Sequence, residues 1–210
     1  MSRHLWTAGM ALLLSLPAYS QSRRAYEGVV SWKNKTIGTT ILLDIGAGGQ
    51  VGGWIRLNKF TPIDGGTVRE DSVEFQAAGN QYRIEERRGR ITYSGPDGQG
   101  DRLLVRLDGA TGRLEELIEA TRFSGGETAV MEVEGRNRRF RFGRPALWKR
   151  QGMPFENFER VDELLGKVIS VWVADLDERG GRIVAVEEPE GMDIPLKAPK
   201  KPKDKKEDDS

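Results

Sequence analysis

Short stretches of alternating apolar and polar residues, each closed by a glycine-rich turn, recur from Tyr26 to Glu187. A period of two places every second side chain on the same face of an extended strand. Clean alternation means one apolar and one solvated face, which is the signature of antiparallel sheet. Tyr26, Gly28, Val30 and Trp32 share one face of a first strand. Thr39, Ile41 and Leu43 alternate along a second, and the turn Gly46–Gln50 leads into a third over Val51–Leu57. Val73, Phe75 and Ala77 mark another, followed by Tyr82 and Ile84, then Ile91 and Tyr93, then Leu103, Val105 and Leu107. Strands at such regular spacing predict an all-β, mainly antiparallel fold, either a barrel or a sandwich.

Two segments depart from that rhythm. Leu114, Leu117 and Ile118 have helical spacing with Glu115, Glu116 and Glu119 between them, so residues 112–120 fit a helix and a strand equally. Over Pro154–Leu165, Phe155, Phe158, Val161, Leu164 and Leu165 form one stripe, with proline in the first turn and Gly166 as a stop. That pattern predicts one short α-helix in the C-terminal half. Val168–Ala174 is a nearly continuous apolar run, expected to be covered on both faces, with this helix as one cover.

The ends read differently. Arg3 precedes an apolar run from Ala8 to Leu16, broken by Pro17 and followed by Ala18-Tyr19-Ser20. This is a signal-peptide pattern with cleavage near Ser20, and the run is about half the ~20 residues a membrane span needs. The expected location is therefore outside the cytoplasm, periplasmic or extracellular. Residues 189–210 are rich in lysine, acids and proline, and are expected to form a disordered charged tail. Residues 21–188 are expected to form a single β domain that is not an integral membrane protein, and a monomer.

Residue types then exclude chemistry. The chain has no cysteine, and its one histidine, His4, lies in the expected signal peptide. No Ser-His-Asp triad, Cys-His pair or His/Cys zinc site can be built from the remainder, and no metal or other cofactor is expected. Removing Arg3 takes the 33 basic residues to 32, equal to the 32 acidic ones. That balance argues against a nucleic-acid partner. The glycines from Gly46 to Gly53 do not form a phosphate loop, since Trp54 and Ile55 stand where Lys and Ser or Thr are required. Asp175-Leu176-Asp177-Glu178-Arg179-Gly180 has calcium-loop spacing, but Arg179 and Val186 occupy ligand positions. Gly52-Gly53-Trp54 and the meander of strands resemble lipocalin-like barrels. The motif covers three residues and falls on the third strand instead of the first, so no functional residue is carried over.

Three functional readings follow, from different classes. The leading one is an exported, non-enzymatic binding module with an internal pocket for a small hydrophobic ligand, lined by Trp32, Trp54, Tyr82 and Trp172. The second is an envelope interaction or scaffold protein. It would hold an anionic polymer through Arg136, Arg138, Arg139, Arg141 and Arg144, helped by the lysine-rich tail, because a guanidinium pairs bidentately with carboxylate or phosphate. Pairing of these arginines with Glu132 and Glu134 would instead make them an ordinary solvated strand face. The third is a carboxylate-dependent hydrolase, with Asp44, Asp64, Asp71 and Glu74 as candidate acids. No catalytic residue is assigned.

Overall fold

The computed structural model describes residues 22–33, 35–96, 102–119 and 127–194. The segment where a signal peptide is expected, and the charged residues beyond Ile194, lie outside these residues. Twelve strands carry the fold: β1 (Ser22–Trp32), β2 (Lys35–Ile45), β3 (Val51–Arg56), β4 (Phe60–Arg69), β5 (Ser72–Ala77), β6 (Asn80–Arg87), β7 (Arg90–Ser94), β8 (Arg102–Ile118), β9 (Glu127–Val133), β10 (Arg136–Trp148), β11 (Val168–Ala174) and β12 (Gly180–Glu187).

Strands β1 to β8 pair in sequence order, each antiparallel to the next, and β8 returns to β1 through Ala25↔Leu107 and Gly28↔Leu104. This closes an eight-stranded meander barrel. The same β8 then continues, pairing with β11 from Asp108 to Arg113 and with β9 from Arg113 to Ile118. The order β8-β9-β10-β12-β11 closes back on β8 as a second, five-stranded ring. Its single parallel pair is β10 with β12, and the rest are antiparallel. The connectivity is that of a Greek-key barrel of the OB type. Among the described residues no helix is long and apolar enough to cross a membrane.

Alternation fills each ring. Tyr26, Ile41, Leu43, Ile55, Phe75, Tyr82, Ile84 and Tyr93 point into the first. Leu114, Met131, Phe140, Phe142, Val171 and Ile183 point into the second. A third cluster lies between them, where Ala25, Leu42, Phe60 and Leu107 on the outside of the first barrel meet Ala146, Trp148, Ala174 and Val184 on the outside of the second. Strands at this seam are buried on both faces. Ile41-Leu42-Leu43 and the end of β11, residues 171–174, owe their continuous apolar character to this, whereas Val168 at the start of the expected buried run is exposed.

The two ambiguous segments resolve as follows. Residues 112–118 are strand. The α-helix expected over Pro154–Leu165 is a single 3-10 turn, Val161–Leu164. Its first half is held extended against β10: Phe155 and Leu147 exchange two backbone hydrogen bonds of 2.9 Å, and Phe158 N–H donates to Pro145 C=O at 2.7 Å. Those groups are then committed to β10 and cannot close helical turns. Phe158, Val161 and Leu164 still bury their side chains in the second barrel. The outer face of β11, through Trp172 and Ala174, is covered by the first barrel and not by a helix.

Part of the expected tail is ordered. Pro189–Ile194 forms a strap whose Ile194 is buried with the second core. Lys149 Nζ pairs with Glu188, donates to Asp193 Oδ1 at 3.1 Å and donates to Ile194 C=O at 2.8 Å. Glu188, itself buried, accepts from the backbone N–H groups of Arg150 and Ile194, each at 3.2 Å.

Candidate functional site

The arginine-rich segment is β10, the third strand of the second ring. Phe140 and Phe142 enter the core, so Arg139 and Arg141 face outward and are exposed. The register sets Arg139 between Val130 and Gly180, and Arg141 between Thr128 and Arg182. Like charges directly opposite across strands repel. The Arg141–Arg182 juxtaposition is tolerated because Glu27, from β1 of the first barrel, engages Arg182 with both carboxylate oxygens. That hydrogen bond holds the Arg182 guanidinium above its ordinary range, against the opposing effect of burial.

The five arginines are not alike. Arg138 donates to Glu134 at 3.1 Å around the tight β9–β10 turn, and Arg144 lies 3.3 Å from Glu159. Arg136, Arg139 and Arg141 carry no ion pair among the described residues. Glu132 stands opposite Asn137, so of the two acidic neighbours only Glu134 is used.

Beside this face, where the barrels meet, is a cleft of about 210 Å³. Glu27, Thr40, Arg56 and Phe60 wall it from the first barrel, and Gly143–Ala146, Glu156, Asn157 and Arg182–Val184 from the second. Two ion pairs cross the gap: Arg182 with Glu27, and Arg56 Nε with Glu156 Oε1 at 3.3 Å. None of these acids, nor Arg56, was apparent from sequence, because Glu27 and Arg182 are 155 residues apart.

The four candidate aromatics do not share a chamber. Tyr82 is inside the first barrel, stacked on Phe75 at 5.4 Å and on Tyr93 at 5.8 Å between ring centroids. Trp54 and Trp172 pack against the seam. Trp172 lies 5.8 Å from Trp148 and donates its Nε1–H to Glu187 at 3.0 Å. Arg23 sits 4.6 Å over the Trp148 ring and ties Asp44 to Glu187 at 2.9 Å each. Trp32 ends β1, and its side chain lies outside the described residues. Trp54, Trp148 and Trp172 are the glue of the seam, where an amphipathic ring meets a polar edge.

The candidate acids are dispersed. Asp44 serves Arg23 and Glu74 serves Arg83, while Asp64 and Asp71 are exposed on β4 and the β4–β5 turn. The Asp175–Gly180 segment is a strand-connecting turn in which Asp177 Oδ1 accepts from the N–H groups of Arg179 and Gly180. No cluster of acids suited to a metal occurs among the described residues. No protein-family model, curated protein sequence or solved structure matches this chain.

Proposed function

We propose that this is an exported, non-enzymatic binding module that holds an anionic polymer, such as an acidic polysaccharide of the cell envelope, on the outer face of its second barrel. The observation that carries the reading is the exposed pair Arg139 and Arg141 on one strand face, without acidic partners among the described residues. Export is supported by the apolar run and small-residue cleavage pattern at the N-terminus. OB-type barrels use the face of their second and third strands for oligosaccharides and oligonucleotides. Here that face is β9 and β10, an analogy of fold alone.

Each exposed guanidinium contributes only about 0.2–1 kcal/mol with a carboxylate. Useful affinity therefore comes from several contacts along one chain. Retention on a polygalacturonate matrix tests this. The wild-type protein should elute with rising salt, because contacts at the surface are screened within about 8 Å at physiological ionic strength. The double variant Arg139→Gln/Arg141→Gln should elute at clearly lower salt with unchanged thermal stability. Equal retention of both proteins would sink the proposal.

A further inference from the structure

The cleft between the barrels has a composition that the polymer reading does not use. Its volume, about 210 Å³, lies below the roughly 300–1,000 Å³ of drug-sized sites and suits one sugar-sized unit. Phe60, Ala146 and Val184 give it an apolar floor continuous with the seam. Around that floor stand three arginines, Arg56, Arg144 and Arg182, against two glutamates, Glu27 and Glu156. These five lining groups sum to one positive charge, which Glu159 offsets from outside the lining by its pair with Arg144, so an acid that takes the place of Glu159 meets a wall of net positive charge. Glu27 already accepts from Arg182 with both oxygens, and Glu156 Oε1, 3.3 Å from Arg56 Nε, is buried without a hydrogen bond of its own, so both carboxylates keep lone pairs that a bare inorganic ion cannot use. A molecule with one acid group and several hydroxyls satisfies both sets, its hydroxyls donating to the glutamates and its acid accepting from arginine.

Arg144 is the group best placed to take the acid. Its guanidinium is 72 % exposed, and its partner Glu159 is 66 % exposed. Such a surface pair is worth about 0–1 kcal/mol, so a ligand displaces it at little cost. Arg182 and Arg56, engaged across the gap, hold the walls together and keep the cleft open at a fixed width.

We propose that this inter-barrel cleft binds a small hydroxylated anion of monosaccharide size, a sugar acid or sugar phosphate, with Arg144 as the acid anchor. The reading does not depend on the polymer face. Arg139 and Arg141 lie outside the cleft walls.

The seam supplies its own reporter, because Phe60, Ala146 and Val184 touch both the cleft and the cluster that holds Trp54, Trp148 and Trp172. Titration of the full protein with glucuronate or glucose 1-phosphate should change tryptophan emission saturably, with a Kd of about 1 mM or tighter. Glucose should bind at least about tenfold more weakly. Whichever acid binds more tightly identifies the anion as carboxylate or phosphate.

Two variants locate the site. Arg144→Gln should weaken binding of the acids about tenfold. Gly143→Leu plugs the cleft without touching a charge. A Cβ at Gly143 meets no atom within 4 Å, and its φ is not positive, so the backbone there accepts a side chain without strain. That variant should keep its melting temperature and lose binding. No saturable response to either acid up to about 10 mM, checked by calorimetry, overturns the proposal. So does binding that survives Gly143→Leu. Arg139→Gln/Arg141→Gln should leave the titration unchanged, so failure of the polymer reading and failure of this one are separable.

Discussion

At single positions the backbone decides more than the side chains. The parallel pairing of β10 with β12 requires the chain to enter β12 at Gly180, where φ is +139°. A Cβ there would stand 1.7 Å from the carbonyl oxygen of Arg139. Backbone lies on both sides of that contact, so neither can yield. We expect Gly180→Ala to cost at least about 2 kcal/mol, from strain and from loss of the pairing. Gly143→Ala, which meets open space, should change stability by less than about 0.5 kcal/mol. Urea melts of the two variants check this, and a Gly180→Ala protein as stable as wild type would show that the β10–β12 entry is not constrained as described. The same junction matters for the candidate site, since Arg139 accepts the close approach of Gly180 through its backbone while its side chain projects outward. That outward direction was legible in the sequence, because Phe140 and Phe142 alternate with Arg139 and Arg141. The cleft was not legible, because its walls are strands brought together only by closure of two rings.

Among the elements, β8 is the one on which both barrels depend. It has 17 residues, against a usual length of about 5–6. Leu104 faces the first core, Leu107 the seam and Leu114 the second core. Between Leu114 and Glu116 the pairing with β9 shifts by one residue. This bulge explains the misleading helical spacing of the segment: with Glu115 as the extra residue, the next inward position after Leu114 is Leu117. A second strand hid for a related reason. β4 contains Pro62 and the stretch Asp64-Gly65-Gly66, which reads as a turn, yet Gly66 is needed because a Cβ there would lie 2.2 Å from Glu74 C=O. Alternation alone thus reported the regular strands and failed at bulges, where the period slips. The sharing of β8 has a thermodynamic consequence. Leu114→Ala, fully buried in the second core, should cost about 2–5 kcal/mol, and Phe75→Ala in the first about 3–5 kcal/mol. If β8 couples the rings, each variant should unfold in one transition whose midpoint is the same by tryptophan emission, which reads the seam, and by far-ultraviolet circular dichroism. Two separated transitions in either variant would show that the barrels melt independently.

At the scale of the whole molecule, charge balance near neutrality conceals two groups tuned to titrate at high pH. Tyr26 is buried in the first barrel, and its hydroxyl donates to Glu86 at 2.5 Å. Burial, then the hydrogen bond and negative charge of Glu86, raise its pKa far above the ordinary tyrosine range, with Arg24 opposing weakly. In the second barrel, burial alone would lower the pKa of Lys149, but its hydrogen bonds to Glu188 and Asp193 override that and raise it. Both groups therefore hold their proton in the native state after the unfolded chain has released it, at about pH 10 for tyrosine and about 10.4 for lysine. Where the native state binds more protons than the unfolded one, stability falls as pH rises. The contribution of Lys149 is accordingly complete below about pH 10 and is lost as pH climbs through its raised folded value. Neither group should make stability vary between about pH 6 and 9. Above about pH 10 the decline should approach about 1.4 kcal/mol per pH unit for each retained proton. Tyr26→Phe removes one such proton and leaves the ring, so its stability should fall less steeply from about pH 10 to 11.5 than that of the wild type, by about 1.4 kcal/mol per unit. Chemical denaturation at half-unit steps of pH measures both slopes. Parallel slopes in wild type and variant would mean that the Tyr26 hydroxyl titrates alike in the folded and unfolded chains, and that the bond to Glu86 does not hold the end of the first barrel.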